Sequence, residues 1–216
     1  ISQPYVMRTY IAPERDSGAQ EKAAALAFLA DLLGGSSATS LMGQVLEFEE
    51  GSAVYTGAFY NGTSYDDTTF GLIVMPVPGR TLSQAEADMD RMIARFMEEG
   101  VDMERFERIK MQIRAGEIYE KDSLQGLARQ YGAALTSGLT VEDVQAWPDV
   151  LQAVTPDDVM QAAAELFDKR RSVTGYAMGV GENSGLGAPP QDAAAEDATD
   201  VPEGTAPAPA TSPESA

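Results

Sequence analysis

The stretch AVYTGAFYNGTSYDDTTFGLIVMPV, Ala53–Val77, decides the fold class. Residues 53–61 read as a strand, with aromatics at Tyr55, Phe59 and Tyr60. Asn61-Gly62 is a turn signal, and Tyr65-Asp66-Asp67 extends the loop. Residues 68–77 form the second arm. Its near-continuous apolar run, Phe70 and Leu72 to Met75, predicts a central strand that Pro76 ends. The two arms make a hairpin. Upstream, Tyr5 to Ile11 is a third strand, rich in β-formers and bracketed by Pro4 and Pro13. Downstream, Arg171 to Met178 is a fourth. Between strands the periodicity is helical. Hairpin strands and helices in runs define α+β rather than a doubly wound parallel sheet. The expected architecture is two-layer, with a four-stranded, mostly antiparallel sheet covered on one face by helices.

The helices are legible from caps and stripes. Ser17-Gly18-Ala19-Gln20 has capping-box spacing and leads into Ala25, Phe28, Leu29, Leu32 and Leu33. Gly34-Gly35 reads as the stop. A polar loop with Ser36, Ser37 and Thr39 precedes a short helix carrying Leu41, Val45, Leu46 and Phe48 to Gly51. Ser83-Gln84-Ala85-Glu86 is a second capping box, before the stripe Met89, Met92, Ile93, Phe96 and Met97. Asp102 caps a helix with Phe106, Ile109 and Ile113 on one side. Ser123 opens another, with Leu124, Leu127, Tyr131 and Leu135 reaching Gly138. Thr140 opens a short helix that Pro148 is expected to end. Thr155-Pro156-Asp157-Asp158 places a cap, a first-turn proline and two acids at the start of a helix running to about Asp168.

Composition removes whole classes of chemistry. The 216 residues include no Cys and no His. Disulfides, thiol nucleophiles, imidazole bases and the commonest transition-metal ligands are therefore absent from this chain. With 34 Asp+Glu against 15 Lys+Arg the net charge is −19, opposing nucleic acid and anionic membrane surfaces. Residues 182–216 hold seven acids, no Lys or Arg, and six of the 12 prolines. Such a stretch cannot bury enough apolar surface to offset its ordering entropy, so a disordered acidic Pro/Ala-rich tail is expected there and one domain over residues 1–181. No run approaches 18 apolar residues, so no membrane span is expected. The chain opens at Ile1 close to a strand, and reads as cut from something longer or processed.

Other candidate chemistry yields to plainer readings. Carboxylate pairs at Glu49-Glu50, Asp66-Asp67, Glu98-Glu99 and Asp157-Asp158 lack the alternating spacing of a calcium loop. Leu33-Gly34-Gly35-Ser36-Ser37 follows a helix and has no accompanying Lys, so it reads as a helix stop rather than a phosphate cradle. The methionine stripe reads as core. Arg105, Arg108, Lys110 and Arg114, interleaved with acids, read as a solvated helix face.

Several strings, in their order, resemble a known family. Ala23-Ala24-Ala25-Leu26-Ala27-Phe28-Leu29-Ala30-Asp31-Leu32-Leu33-Gly34-Gly35 is similar to the helix-and-glycine segment in the repeat domains of pitrilysin/insulinase zinc peptidases. The Ser-rich turn Ser36 to Leu41, the segment Gln44-Val45-Leu46 and the step Gly51-Ser52-Ala53 follow as in that family. Arg8-Thr9-Tyr10-Ile11-Ala12-Pro13 resembles the strand before its first helix. The resemblance covers most of residues 5–179.

It implies a pitrilysin-like metallohydrolase domain, one of two or more that enclose a peptide chamber. The active domain of such enzymes holds His-x-x-Glu-His and a distal Glu, which bind zinc and activate water. Without His this chain looks like the other, zinc-free C-terminal domain. No cofactor is then expected here, and zinc belongs to the catalytic N-terminal domain of the same polypeptide. A second family subunit and a peptide substrate are the further implied partners. In many relatives an Arg and a Tyr flanking the Gly-x-Ala step hold substrate backbone. Carried over, the Arg position falls near Glu47 and the Tyr position at Val54, with Tyr55 one step on. Glu47 departs from a cationic clamp, which fits a zinc-bearing rather than an Arg/Tyr-bearing subunit of a two-subunit enzyme. Glu47 and Tyr55 are the candidate substrate-binding residues; the plain reading of Tyr55 is a half-buried strand aromatic. The alternative function is a non-catalytic scaffold or assembly subunit on the same fold. A periplasmic location is expected from the bacterial resemblance, with the cytoplasm as the alternative.

Overall fold

A computed structural model describes residues 3–120 and 123–178, the side chains of 117–120 excepted. The order is β1 (Tyr5–Ala12), α1 (Glu21–Gly34), a π-helical segment (Gly43–Glu49), β2 (Ala53–Tyr60), β3 (Thr68–Pro76), α2 (Leu82–Glu99), α3 (Met103–Glu120), α4 (Leu124–Thr136), α5 (Val141–Ala153), α6 (Pro156–Leu166), a 3-10 turn (Lys169–Arg171) and β4 (Ser172–Ala177). The expected tail, residues 182–216, lies outside the described residues.

The sheet order is β2-β3-β1-β4, and every neighbouring pair is antiparallel. The apolar run of β3 does occupy an interior strand. Alternate residues of β1, from Val6 to Ala12, are buried, and their partners Val74, Leu72 and Phe70 in β3 are buried with them. The helices lie on that face. Phe28, Leu29 and Leu33 of α1, Met89 and Met92 of α2 and Val159 of α6 fill the layer. Each such burial contributes about 2 kcal/mol. Tyr10 and Phe70 both meet Phe167 edge-on, at 5.3 and 6.0 Å between ring centres, closing the core after α6.

Helix α1 is more central than its stripe implies, since ten of its 14 residues are buried. The second layer is itself two helices deep there, and α1 packs against α3, α5 and α6 as well as β2. The helix does end at Gly34, for a different reason than a left-handed cap. Gly35 has an ordinary helical φ of −65°. A Cβ on Gly34 would stand 2.2 Å from the Ala58 nitrogen, so the glycine permits helix and strand backbones to touch.

Four local expectations need correction. The Ser17–Gln20 box does not form. Gln20 is the N-cap without a side-chain bond, and the Ser17 hydroxyl donates to Asp143 at 2.6 Å. The second box sits two residues earlier, where Thr81 caps α2 and exchanges bonds with Gln84. Pro148 does not end its helix: α5 runs through it to Ala153, and only the bond a residue there would donate to Val144 is lost. The short helix before β2 is π-helical, with Glu50 N–H donating to the Val45 carbonyl at 2.9 Å. Its wider turn throws Phe48 off the apolar stripe, leaving it 67% exposed. By contrast, the caps at Ser123, Thr140 and Thr155 form where expected. Helix α4 turns Leu124 and Leu135 to solvent, and its buried residue is Ala134.

Candidate functional site

The π-helical segment turns at Gly51, where φ is +59°, and feeds directly into β2. The ladder with β3 shifts register between Ala53 and Tyr55, so Val54 is an extra, bulged residue and both Val54 and Tyr55 are exposed. Two backbone irregularities thus flank one Gly turn, a combination that re-aims side chains.

Glu47 points from the π-helical segment onto the outer edge of β2. Its Oε1 accepts the Thr56 N–H and the Thr56 hydroxyl, each at 2.7 Å. Thr56 is buried, so these bonds satisfy groups that water cannot reach. Tyr55 leaves on the face away from the helices, and its hydroxyl oxygen lies 2.9 Å from where a Cβ on Gly57 would sit. Glu47 and Tyr55 are therefore one residue apart across the edge, yet no hydrogen bond joins their side chains. Beside them an open depression of about 440 Å³ is lined by Ala38, Gln44, Phe48 and Glu49. Arg105 is anchored here by a bond to Gln44 at 2.5 Å, and Lys110 donates to the Val154 carbonyl. These two cations are packed against the domain rather than forming a freely solvated face.

At the same end Asp88, 5% exposed, is gripped by Arg80 through both oxygens and by Arg91, which also makes a two-pronged pair with Glu50. Those bonds hold the Arg91 guanidinium above its usual range.

Sequence reasoning missed Arg8, the one charged residue of β1. It faces the helices and is 1% exposed. Its Nε donates to Thr174 at 2.9 Å, Nη2 to Glu86 at 2.7 Å, and Nη1 to Asp90. Lys169 also donates to Asp90, and the Tyr176 hydroxyl to Glu86. Burial works against ionisation of both carboxyls, but these donors outweigh it and hold Glu86 and Asp90 below the usual carboxylate range. The partners of Arg8 lie 78 to 166 positions away in sequence, so only the alternation of β1, which places residue 8 inward, signals the site. Asp143 is likewise a junction. It accepts from the Ser17 hydroxyl, the Gly18 N–H and both donors of Thr140, which together keep its carboxyl far below the normal range.

Among the described residues no group of three or more Asp or Glu stands together as a metal site. No described helix is long and apolar enough to cross a membrane. The site offers hydrogen-bond acceptors and aromatic surface at a strand edge.

A two-layer α+β domain with such an edge matches a defined class. The peptidase M16 inactive domain model matches residues 1–113, over half of the chain, and the chain belongs to that family. It is a non-catalytic peptidase domain, in agreement with the pitrilysin/insulinase resemblance. No curated protein matches the sequence. A protease from Helicobacter pylori has a TM-score of 0.74 at 16% identity, over 82% of this chain and 41% of that one. The inactive peptidase domain of a protein named as a zinc protease from Bordetella parapertussis has a TM-score of 0.72 at 15% identity, over 82% and 93%. The periplasmic protease PqqL from Escherichia coli has a TM-score of 0.61 at 15% identity, over 81% and 19%. At these identities the likeness is one of fold. The chain spans less than half the length of the Helicobacter and Escherichia proteins.

Proposed function

We propose that residues 1–181 act as the zinc-free wall of a peptide chamber, with residues 182–216 as an acidic tail. A separate His-x-x-Glu-His domain of the same polypeptide binds zinc and hydrolyses the peptide bond. The observation that carries this reading is the absence of His from all 216 residues of a chain in the M16 inactive-domain family. The wall excludes water from the chamber and holds peptide.

In this reading Tyr55 and Glu47 contact substrate. Both Glu47 bonds to Thr56 use Oε1, which leaves Oε2 to accept a donor. A carboxylate at this edge selects peptide N–H groups or basic side chains, where a cationic clamp would select carbonyls. A periplasmic location is supported by the Escherichia neighbour. A second family subunit completes the chamber.

The test is the parent protein in a quenched-peptide assay. Zinc-dependent cleavage that loses affinity in Tyr55→Ala supports the reading. A parent without His-x-x-Glu-His and without cleavage supports the scaffold alternative instead.

A further inference from the structure

Glu47 and Phe48 are neighbours in the π-helical segment and turn different ways. Glu47 reaches Thr56 on β2, while Phe48 stands largely exposed over the depression that Ala38, Gln44 and Glu49 complete. Its volume, about 440 Å³, is within the range of small-ligand sites. The walls are preformed. A Cβ on Gly43 would stand 2.3 Å from the Ser37 carbonyl oxygen, so the serine-rich turn and the π-helical backbone are in direct contact. The Gln44 side chain fixes the same turn, since its Nε2 donates to the Ala38 carbonyl at 3.2 Å. Single π turns of this kind recur at functional sites.

The charge beside this depression is unbalanced. Arg105, in the first turn of α3, donates Nη2 to the Gln44 Oε1 at 2.5 Å, its one side-chain bond among the described residues. Four of its five N–H donors have no acceptor there. Among the described residues no carboxylate pairs with it, whereas its neighbours Arg95 and Arg108 are paired with Glu99 and Glu104. Partial burial, helped by Arg108 and Arg95, holds the Arg105 guanidinium below its ordinary value against the pull of Asp102 and Glu49. Asp102 is committed to capping α3, where it accepts the Arg105 backbone N–H at 2.9 Å. Glu49 lines the depression, and among the described residues its side chain accepts no hydrogen bond. One small surface therefore carries a guanidinium short of acceptors, a carboxylate short of donors and an exposed aromatic ring.

We propose that this depression seats the C-terminal residue of a bound peptide, with its end carboxylate on Arg105, its N–H on Glu49 and an apolar side chain on Phe48. The proposal deepens the peptide-holding function proposed above and rests on it. Three observations select this occupant. A carboxylate satisfies a guanidinium with two parallel bonds, which the single neutral oxygen of Gln44 does not. An N–H one residue's backbone away from that carboxylate answers Glu49, which a bare anion would meet as a like charge. With a net charge of −19 the chain repels acidic peptides, but an end carboxylate accompanies every peptide whatever its composition. Phe48 then favours a large apolar terminal residue. Tyr55 and Glu47 contact substrate at the β2 edge in that reading, so this seat fixes where the peptide ends.

The test is a fluorescence-anisotropy titration of this chain with an uncharged peptide that carries an N-terminal dansyl group and ends in Phe. The peptide is supplied as the free acid and as the C-terminal amide. Expected is a Kd about tenfold or more lower for the acid. Arg105→Gln removes that difference, and Phe48→Ala raises the Kd of the acid about tenfold. A terminal Ala in place of Phe raises it similarly. Phe48 is largely exposed, so Phe48→Ala keeps the circular dichroism and melting temperature of the chain. The ratio of acid to amide affinity is read on the unaltered chain and needs no variant. Equal affinity for acid and amide overturns the inference. Free phenylalanine that displaces the acid peptide at a similar concentration makes a free amino acid the occupant and overturns it too. Binding that Tyr55→Ala weakens and Phe48→Ala does not overturns it while the proposed function stands. Absence of binding by either peptide overturns it likewise, and zinc-dependent cleavage by the parent protein then decides the proposed function separately.

Discussion

A single oxygen of Glu47 accepts both the backbone N–H and the hydroxyl of Thr56, each at 2.7 Å. The bonds tie the π-helical segment to the outer edge of β2. The carboxylate is part of the fold.

Glu47→Ala leaves two buried donors unsatisfied and is predicted to cost about 2 kcal/mol. Glu47→Gln retains an amide oxygen that accepts the same bonds and is predicted to be near neutral. Glu47→Arg, which replaces the acceptor by a cation, is predicted to be the least stable of the three. Urea denaturation midpoints at constant slope check the order.

The contact of Gly34 with Ala58 predicts a strong asymmetry between two glycines. Gly34→Ala forces α1 and β2 apart and is predicted to cost about 3 kcal/mol. Gly175→Ala on β4 meets nothing within 4 Å and is predicted to change stability by less than about 0.5 kcal/mol. Thermal unfolding of the two variants side by side tests this.

Arg8 predicts a similar contrast. Arg8→Met strips Glu86, Asp90 and Thr174 of a common donor and is predicted to cost about 3 kcal/mol, below the upper range for fully buried pairs because Asp90 is partly exposed. Arg8→Lys is predicted to recover less than half, since one ammonium cannot reproduce the three-directional fork. Loss of protection at β4 amides in hydrogen exchange locates the effect, because Thr174 and Tyr176 belong to the same network.

The pH dependence follows from the same cluster. Glu86, Asp90 and Asp143 titrate below their unfolded values. Their contribution is therefore fully present above about pH 5 and lost as pH falls through the lowered folded values. Lys169 and Tyr176 titrate above their ordinary values, so their contribution is present below about pH 10 and lost above it. These groups add no slope between those limits. Glu86→Gln is predicted to shallow the acid limb of a midpoint-versus-pH curve.

The fold was legible where information is local. The β2–β3 hairpin, the interior place of β3 and the Met89–Phe96 stripe all rest on periodicity within one element. The errors fall where a distant partner decides. Ser17 has box spacing, but Asp143 claims its hydroxyl from 126 positions away. Nothing local to Arg8 signals its partners, since Glu86 and Asp90 are brought to it by α2. Pro148 is an interior breaker by rule, yet packing of α5 against α1 and α3 carries the helix past it. Of the candidate site, both residues were placed near the Gly51 turn. The inward bonds of Glu47 were not legible, because Thr56 lies across a bulge whose register no local pattern encodes.

The most direct test of the central claim is zinc titration of this chain together with quenched-peptide hydrolysis with and without chelator. The account predicts no stoichiometric zinc site and no chelator-sensitive cleavage by the isolated chain. One zinc bound per chain, with hydrolysis that the chelator abolishes, would contradict it.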